Sequence, residues 1–130
     1  MLRIIFYKRF LTIIIEIKKN NELIQVKINM KEPQRKLNEI TGILKKELPS
    51  LKDKYHIDFL GIFGSFLRGE QTKTSDLDIL VSFNITPTLF QFIRLEQLLS
   101  RMLDVKVDLV MKDSLKPMIG KRILSEVKEL

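Results

Sequence analysis

Apolar residues recur at steps of three and four across residues 34–55. The shared face carries Leu37, Ile40, Leu44, Leu48, Leu51 and Tyr55. This spacing matches the period of a helix, so the pattern predicts a helix that packs on the core. Pro49 lies within it and could kink or split the helix, because proline lacks a backbone donor and clashes with the preceding turn. The stripe continues past Pro49, so we expect both halves to pack on one core.

Three shorter apolar runs predict buried strands. They cover residues 57–63, 76–83 and 105–111 and are rich in β-branched or aromatic residues. Such residues favour strands, and runs of this length are typical of strands buried in a sheet. Because the runs alternate with helical segments, the order predicts an α/β (α+β) fold in which helices flank a small mixed β-sheet.

A helical segment is predicted after each strand. Ser65 would cap a short helix, and Thr86 with Pro87 would supply the cap and the first-turn proline of the next one. The residues expected on the buried face of that second helix are Leu89, Phe92, Ile93, Leu99 and Leu103. Ser114 is predicted to cap a last helix with a break near Gly120.

The first 29 residues differ in composition from the rest, being dominated by Ile, Lys and Asn with neither Gly nor Pro. Lys8 and Arg9 interrupt the apolar stretch well short of the roughly 20 residues that a membrane span needs. The chain also has no alanine, which disfavours a secretory cleavage site. We therefore expect a cytoplasmic protein without a membrane segment.

Two interpretations of this N-terminal extension, residues 1–29, stay open. One is a β-hairpin with strands at residues 11–17 and 23–28, which could form an edge of the sheet or a dimer contact. The other is an extension upstream of a natural start at Met30. Both leave residues 30–130 as the predicted globular domain.

Composition and charge narrow the classes of function. The chain has no cysteine, so a bound metal would be held by oxygen ligands or by the single histidine, His56, to which we assign no role. The formal net charge is +7, and residues 1–30 hold six Lys or Arg against two Glu. No basic run interleaved with aromatic residues follows, so nucleic-acid binding is disfavoured.

The turn after the first predicted strand could bind phosphate. That strand ends at Gly64, and the short helix begins at Ser65, which would leave free backbone N–H groups and the positive end of a helix dipole pointing outward. Helix starts of this kind bind anions, and the Ser65 hydroxyl could donate to a phosphate oxygen. A Gly-Ser pair alone is more commonly a turn followed by a cap.

Three aspartates lie on or beside the two later strands. Asp76 and Asp78 are two residues apart, which places both carboxylates on one sheet face with Cα atoms roughly 6.6 Å apart. An isolated pair of this kind is more often a solvated strand end, but Asp108 interrupts another apolar strand, where a buried carboxylate is costly unless it is paired or bound to metal. Asp104 competes with it, yet lies in a predicted turn. Oxygen ligands of this kind favour magnesium or manganese.

Together these motifs resemble the minimal nucleotidyltransferases of the DNA polymerase β superfamily. The matching pattern is G-S, then R-G at Arg68 and Gly69, then S-D-x-D before an apolar strand, with V-D-L-V downstream. The resemblance covers roughly residues 35–130 and implies a polymerase β-like nucleotidyltransferase fold. Leu67 departs from the small alanine that the family usually has.

The resemblance also implies roles for the site residues. Gly64 and Ser65 would hold the nucleotide triphosphate, and Arg68 would orient the loop or a phosphate. Asp76 and Asp78 would bind two metal ions, Mg²⁺ or alternatively Mn²⁺. The last acid, at position 108, would complete the metal site and could accept the proton of the acceptor hydroxyl.

The reaction implied by the resemblance is transfer of AMP from ATP to a hydroxyl, with release of pyrophosphate. A chain of this length has no room for a large acceptor-binding domain, which favours a protein acceptor. Short members of the family are similar to antitoxins that are paired with a HEPN-type ribonuclease toxin, so we expect a toxin tyrosine as the acceptor.

Three alternatives remain. The acceptor could be a small hydroxylated molecule such as an aminoglycoside, with a partner domain or dimer completing the pocket. The protein could mask its partner without catalysis. It could also bind nucleic acid through its basic N-terminal extension, in which case binding would be sensitive to salt.

Overall fold

The computed structural model describes residues 32–130, of which residues 36–130 form one compact unit. The hairpin considered for the N-terminal extension and the predicted boundary at residue 30 lie outside the described residues. The elements in chain order are α1 (Glu32–Tyr55), β1 (Ile57–Phe63), α2 (Ser65–Arg68), β2 (Leu77–Phe83), α3 (Leu89–Leu103), β3 (Val107–Met111), a 3-10 turn (Lys112–Ser114), α4 (Pro117–Glu126) and β4 (Lys128–Glu129). The predicted mixed α/β architecture is confirmed.

The four strands form one mixed sheet in the order β3-β2-β1-β4. β2 pairs with β3 in parallel, whereas β1 is antiparallel to both β2 and β4. The register places Asp78 opposite Phe63 on one side and opposite Asp108 on the other. The end of β1 and the starts of β2 and β3 therefore meet at one end of the sheet.

The long first helix packs as its apolar stripe predicts. Ile40, Leu44 and Leu51 are buried in the main hydrophobic cluster, and the remaining stripe residues lie against it. Pro49 lies inside α1 without splitting it, and both halves pack on one core as the stripe predicts, because Leu48 before it and Leu51 after it face the same cluster. Packing on both sides of the proline outweighs the loss of one backbone donor.

The predicted start of α3 was wrong by two residues. Thr88 caps the helix: its hydroxyl accepts from the Gln91 N–H at 3.2 Å, and the Gln91 side chain accepts from the Thr88 N–H at 2.9 Å. This reciprocal pair satisfies two backbone donors, which Thr86 and Pro87 could not do from their positions. Both residues belong instead to the preceding loop.

The buried face of α3 was predicted only in part. Leu99 and Leu103 are buried, but they are joined by Leu95, whereas Leu89 is 71% exposed and Ile93 is 40% exposed. The helix carries apolar residues on two sides, and helical spacing alone does not say which side meets the sheet. Its first turns thus present apolar side chains to solvent.

The last helix also differs from prediction. Ser114 lies in the 3-10 turn, and α4 begins later at Pro117, a residue whose fixed backbone angle suits a first turn. Gly120 does not break α4 but is buried next to Leu115. After the helix ends, the chain forms β4, a strand too short to leave a sequence pattern.

Side chains of α3 protect the outer edge of β3. The Val107 N–H donates to the Ser100 hydroxyl at 3.0 Å, and the Leu109 N–H donates to the Glu96 carboxylate at 3.0 Å. Backbone donors on an edge strand would otherwise be open to pairing with another chain. None of the helices within residues 32–130 has the length and hydropathy needed to cross a bilayer.

Candidate active site

Three carboxylates gather at the end of the sheet where β2 and β3 begin. Asp78 and Asp108 are register partners on these parallel strands, and Asp76 immediately precedes β2. Asp108 is exposed between the buried Val107 and Leu109, so it faces away from the core. The expectation of a costly buried carboxylate at Asp108 was therefore wrong, because the strand alternates and puts this residue on its open face.

The most perturbed carboxylate is that of Asp78, which is half-buried on the central strand. Burial raises the pKa of Asp78 above its ordinary value, and the nearby charges of Asp108 and Asp76 raise it further, while Arg68 opposes them. Asp76 is partly compensated by Lys106, whose Nζ lies 3.6 Å from its Oδ2 on an exposed part of the surface. Asp78 thus lies in a region of crowded negative charge.

The turn at Gly64 brings the backbone against this carboxylate. Gly64 has φ 79°, and a Cβ added there would overlap Oδ2 of Asp78. Only glycine combines the positive φ with such a close approach. The prediction that Ser65 caps this helix was wrong, because Gly64 holds the capping position and Ser65 is the first residue of α2. Since α2 has only four residues, anion binding here would rest on the donors of the turn rather than on a long helix dipole.

A glutamate that sequence reasoning missed completes the arrangement. Glu126 at the end of α4 accepts from Arg68 Nη1, which lies 3.2 Å from each of its carboxylate oxygens. The Gly64 N–H also donates to Glu126 Oε1 at 3.4 Å, and Arg68 Nε donates to Glu70 at 3.1 Å. Gly64 and Glu126 are 62 residues apart, so no local pattern could have paired them.

Arg68 remains a cation in this setting. The hydrogen bond to Glu70 raises the pKa of Arg68 above its ordinary value, desolvation opposes it, and the charge of Glu126 adds to the rise.

The predicted residues Gly64, Ser65 and Arg68 therefore lie together with the aspartates at one end of the sheet. His56, to which no role was assigned, lies at the other end of β1.

The donor set fits a hard divalent cation. Asp76, Asp78 and Asp108 offer oxygen ligands from adjacent positions. Burial and then the neighbouring charges raise the pKa of Asp78, and a cation would neutralise this crowded negative charge. Within residues 32–130, no three acidic, imidazole or thiol side chains already surround a common point. The aspartate side chains would have to turn toward an ion to bind it.

Known proteins are similar to this chain in sequence and in fold. The model of the nucleotidyltransferase domain family matches residues 43–130. A protein adenylyltransferase MntA from Thermococcus cleftensis is 46% identical over 91 residues, which cover 70% of this chain and 92% of that protein. A protein of Methanocaldococcus jannaschii, provisionally assigned as a protein adenylyltransferase, is 49% identical over 88 residues, covering 67% of this chain and 90% of that protein.

Solved structures agree with these sequence matches. A provisionally assigned minimal nucleotidyltransferase superposes with a TM-score of 0.61 at 30% identity, over 78% of this chain and 99% of that one. A toxin–antitoxin solved with AMP-PNP superposes with a TM-score of 0.54 at 28% identity, over 72% of this chain and 70% of that one. The fold and the site define a nucleotidyltransferase.

The chain belongs to the nucleotidyltransferase domain family. Within that family, its fold is that of the minimal nucleotidyltransferases.

Proposed function

We propose that this protein transfers AMP from ATP to a tyrosine hydroxyl of a HEPN-type toxin and thereby acts as its antitoxin. The observation that carries the proposal is the register pairing of Asp78 with Asp108 beside the Gly64 turn. The similarity of this chain to an adenylyltransferase MntA, and to a toxin–antitoxin solved with AMP-PNP, supports both ATP as the nucleotide and a toxin as the class of partner.

The nucleotide would be bound at the turn between β1 and α2. The Gly64 N–H, the Ser65 hydroxyl and the Arg68 guanidinium are donors on neighbouring residues, and phosphate oxygens are the acceptors that such donors prefer. Because Gly64 has no side chain, the turn can pass close to Asp78, which places the Gly64 N–H at the edge of the carboxylate cluster.

Asp76, Asp78 and Asp108 would hold Mg²⁺, with Mn²⁺ as the alternative and two ions as the expected number. When bound, these ions would supply charge neutralisation for the transferred phosphoryl group and for the leaving pyrophosphate. Asp78, the half-buried member between its two neighbours, is the carboxylate most in need of that neutralisation.

In the transfer itself, the acceptor oxygen forms a bond to the α-phosphorus. The bond from that phosphorus to the oxygen that bridges to the β-phosphate breaks, and pyrophosphate leaves with the electron pair. The proton of the acceptor hydroxyl passes to Asp108, because this carboxylate is exposed on an edge strand, where a protein-borne hydroxyl can reach it.

An apolar surface at the start of α3 supports a protein as the acceptor. We name it the α3 patch; it consists of Ile85, Leu89, Phe90 and Ile93, of which Phe90 is 76% exposed. An open depression of about 470 Å³ next to it extends to Val110 and Met111 on β3. Exposed apolar clusters of this kind mark interaction surfaces. Since α3 side chains already bond the edge of β3, a partner would dock on side chains rather than by adding a strand.

The test is transfer of label from ATP labelled at the α-phosphate. The protein is incubated with Mg²⁺ and the product of the adjacent gene, and it is compared with a variant carrying Asp76→Asn and Asp78→Asn. Asp104→Asn is the matched control, because Asp104 lies in an exposed turn with φ 50°, which asparagine tolerates. We expect the parent and the control to label the partner at tyrosine, and the double variant to leave it unlabelled.

Two results would contradict the proposal. If none of the four ribonucleotides is transferred although the partner binds tightly, the protein is a masking module. If label appears on another residue type, the acceptor assignment is wrong.

A further inference from the structure

Glu126 accepts hydrogen bonds from the same donors that the proposed function assigns to nucleotide phosphates. Its carboxylate bridges the Gly64 N–H and Arg68 Nη1, at 3.4 Å and 3.2 Å. A phosphate oxygen bound to the same N–H and the same guanidinium nitrogen would need the space that the carboxylate fills. Nucleotide and Glu126 therefore compete for one subsite.

The fold holds Glu126 at this position. Immediately after it, β4 pairs with β1, with Lys128 opposite Ile62 and Glu129 opposite Gly61. A Cβ at Gly61 would lie 2.6 Å from Val127 Cγ2, so the absence of a side chain there lets Val127 pack against the strand. The Glu126 side chain is only 26% exposed, unlike that of a glutamate free in solvent.

The contacts of Glu126 are long enough to be exchanged. Charge-assisted hydrogen bonds are typically about 2.7–2.9 Å long, shorter than those to Glu126. Arg68 keeps a separate bond from Nε to Glu70, so it would stay oriented after Nη1 is released. The negative charge of Glu126 also lies close enough to act on Asp78, in the region that must accept a triphosphate.

We propose that Glu126 is a positioning residue that holds the Gly64 amide and Arg68 in place of a phosphate, and that nucleotide must displace it to bind. Glu126 thereby lowers nucleotide affinity while it keeps both donors aligned in the empty enzyme. The inference rests on the proposed function only in assigning these donors to phosphate, and nucleotide binding can be measured without any transfer.

The test compares binding of AMP-PNP with Mg²⁺ to the full chain and to Glu126→Gln by calorimetry. Gln keeps the shape but loses the charge, so it is a weaker competitor, and we expect binding to tighten about fivefold, a modest change because the pair is partly exposed. Glu129→Gln is the matched control, because it removes the same charge from an exposed position on β4 and should change the affinity less than about twofold.

Kinetics separate this role from simple loosening of the structure. With the toxin substrate, Glu126→Gln should lower the KM for ATP without raising kcat, whereas a loosened Arg68 would raise KM. Glu126→Asp keeps the charge with a shorter reach and should bind AMP-PNP with an affinity between those of the parent and Glu126→Gln. In the unaltered protein, the ¹³C shift of the Glu126 carboxyl should move as AMP-PNP is added.

Equal or weaker binding by Glu126→Gln than by Glu129→Gln would overturn the inference, and so would a Glu126 carboxyl shift that stays constant at saturating AMP-PNP. The carboxyl shift decides the matter on the unaltered chain if the variants do not fold. If the parent binds AMP-PNP but labels no partner, the proposed function fails, while the affinity comparison still tests Glu126.

Discussion

Two adjacent strands carry an aspartate at paired positions, yet the two side chains lie in different surroundings. Asp78 on the inner strand β2 is half-buried against the Gly64 turn, and burial with neighbouring charges raises its pKa. Asp108 on the edge strand β3 is exposed to solvent. One carboxylate is thus held at a cost to the fold, whereas the other is open to solvent, so a shared residue type does not imply a shared energetic role.

The sharpest test of this difference is a pair of substitutions, Asp78→Asn and Asp108→Asn. Both should lower partner labelling on the order of 1000-fold, because each removes a proposed ligand for the cation that would stabilise the transition state. In metal-free buffer, however, Asp78→Asn should raise the melting temperature, since it removes a charge that is crowded by like charges. Asp108→Asn should raise it less. Equal shifts for the two variants would contradict the comparison.

Gly64→Ala should disturb the inner strand selectively. The added methyl group would overlap the Asp78 carboxylate, and the alanine would have to adopt a φ of 79°. We therefore expect labelling of the partner to fall roughly 100-fold and the protein to melt at a lower temperature. Gly42→Ala is the control, because nothing lies within 4 Å of a Cβ there and alanine favours its helix. Full activity in Gly64→Ala would mean that the turn does not need to approach Asp78.

The increase in melting temperature that we expect for Asp78→Asn should depend on pH. The folded-state pKa of Asp78 lies above its unfolded value, so its ionised form disfavours folding, and its contribution to stability is lost as pH rises through the folded pKa. The gain over the parent should therefore be largest near neutral pH and should vanish as pH falls through the folded pKa to the unfolded value of about 3.9. Differential scanning calorimetry with EDTA measures it, and a gain that grows on acidification would reverse the assigned sign.

Thr88→Ala should have the smallest effect of these substitutions. It should weaken the packing around β3, because α3 packs against that strand. Losing the cap of α3 should cost roughly 1 kcal/mol, or about 4 °C in melting temperature for a domain of this size. AMP-PNP binding should not change, because the cap lies at the end of the sheet away from the carboxylates. Weaker nucleotide binding would indicate coupling between the two ends.

The sequence predicted the elements around the candidate site better than it predicted the surface. The α1 stripe, the turn at Gly64 and the strands that carry Asp78 and Asp108 follow from local spacing and apolar runs, which burial enforces strongly. The starting residue of α3 depends on whether Thr86 or Thr88 has a capping partner three residues later, and Thr88 has Gln91 in that position. Leu89 and Ile93 of the α3 patch were assigned to the core because helical spacing does not distinguish a core from a docking face.

Glu126 could not have been predicted from its neighbours. Near the end of a polar helix it has the pattern of a solvated residue, and its contact with Gly64 depends on β4, a strand of two residues. Asp108 shows the opposite error: its apolar neighbours suggested burial, but alternation along β3 exposes it. The contact of Glu126 depends on tertiary pairing that local sequence does not encode, whereas the exposure of Asp108 follows from an alternation that its apolar neighbours obscure.

The bonds from Ser100 and Glu96 to the outer edge of β3 also bear on how the protein behaves at high concentration. For an intermolecular sheet to grow from this edge, an incoming chain would first have to break the hydrogen bonds at Val107 and Leu109 and leave the Glu96 carboxylate without its partner. That requirement raises the barrier to fibril nucleation at this strand. The fold therefore carries its own protection against aggregation at the edge nearest the α3 patch.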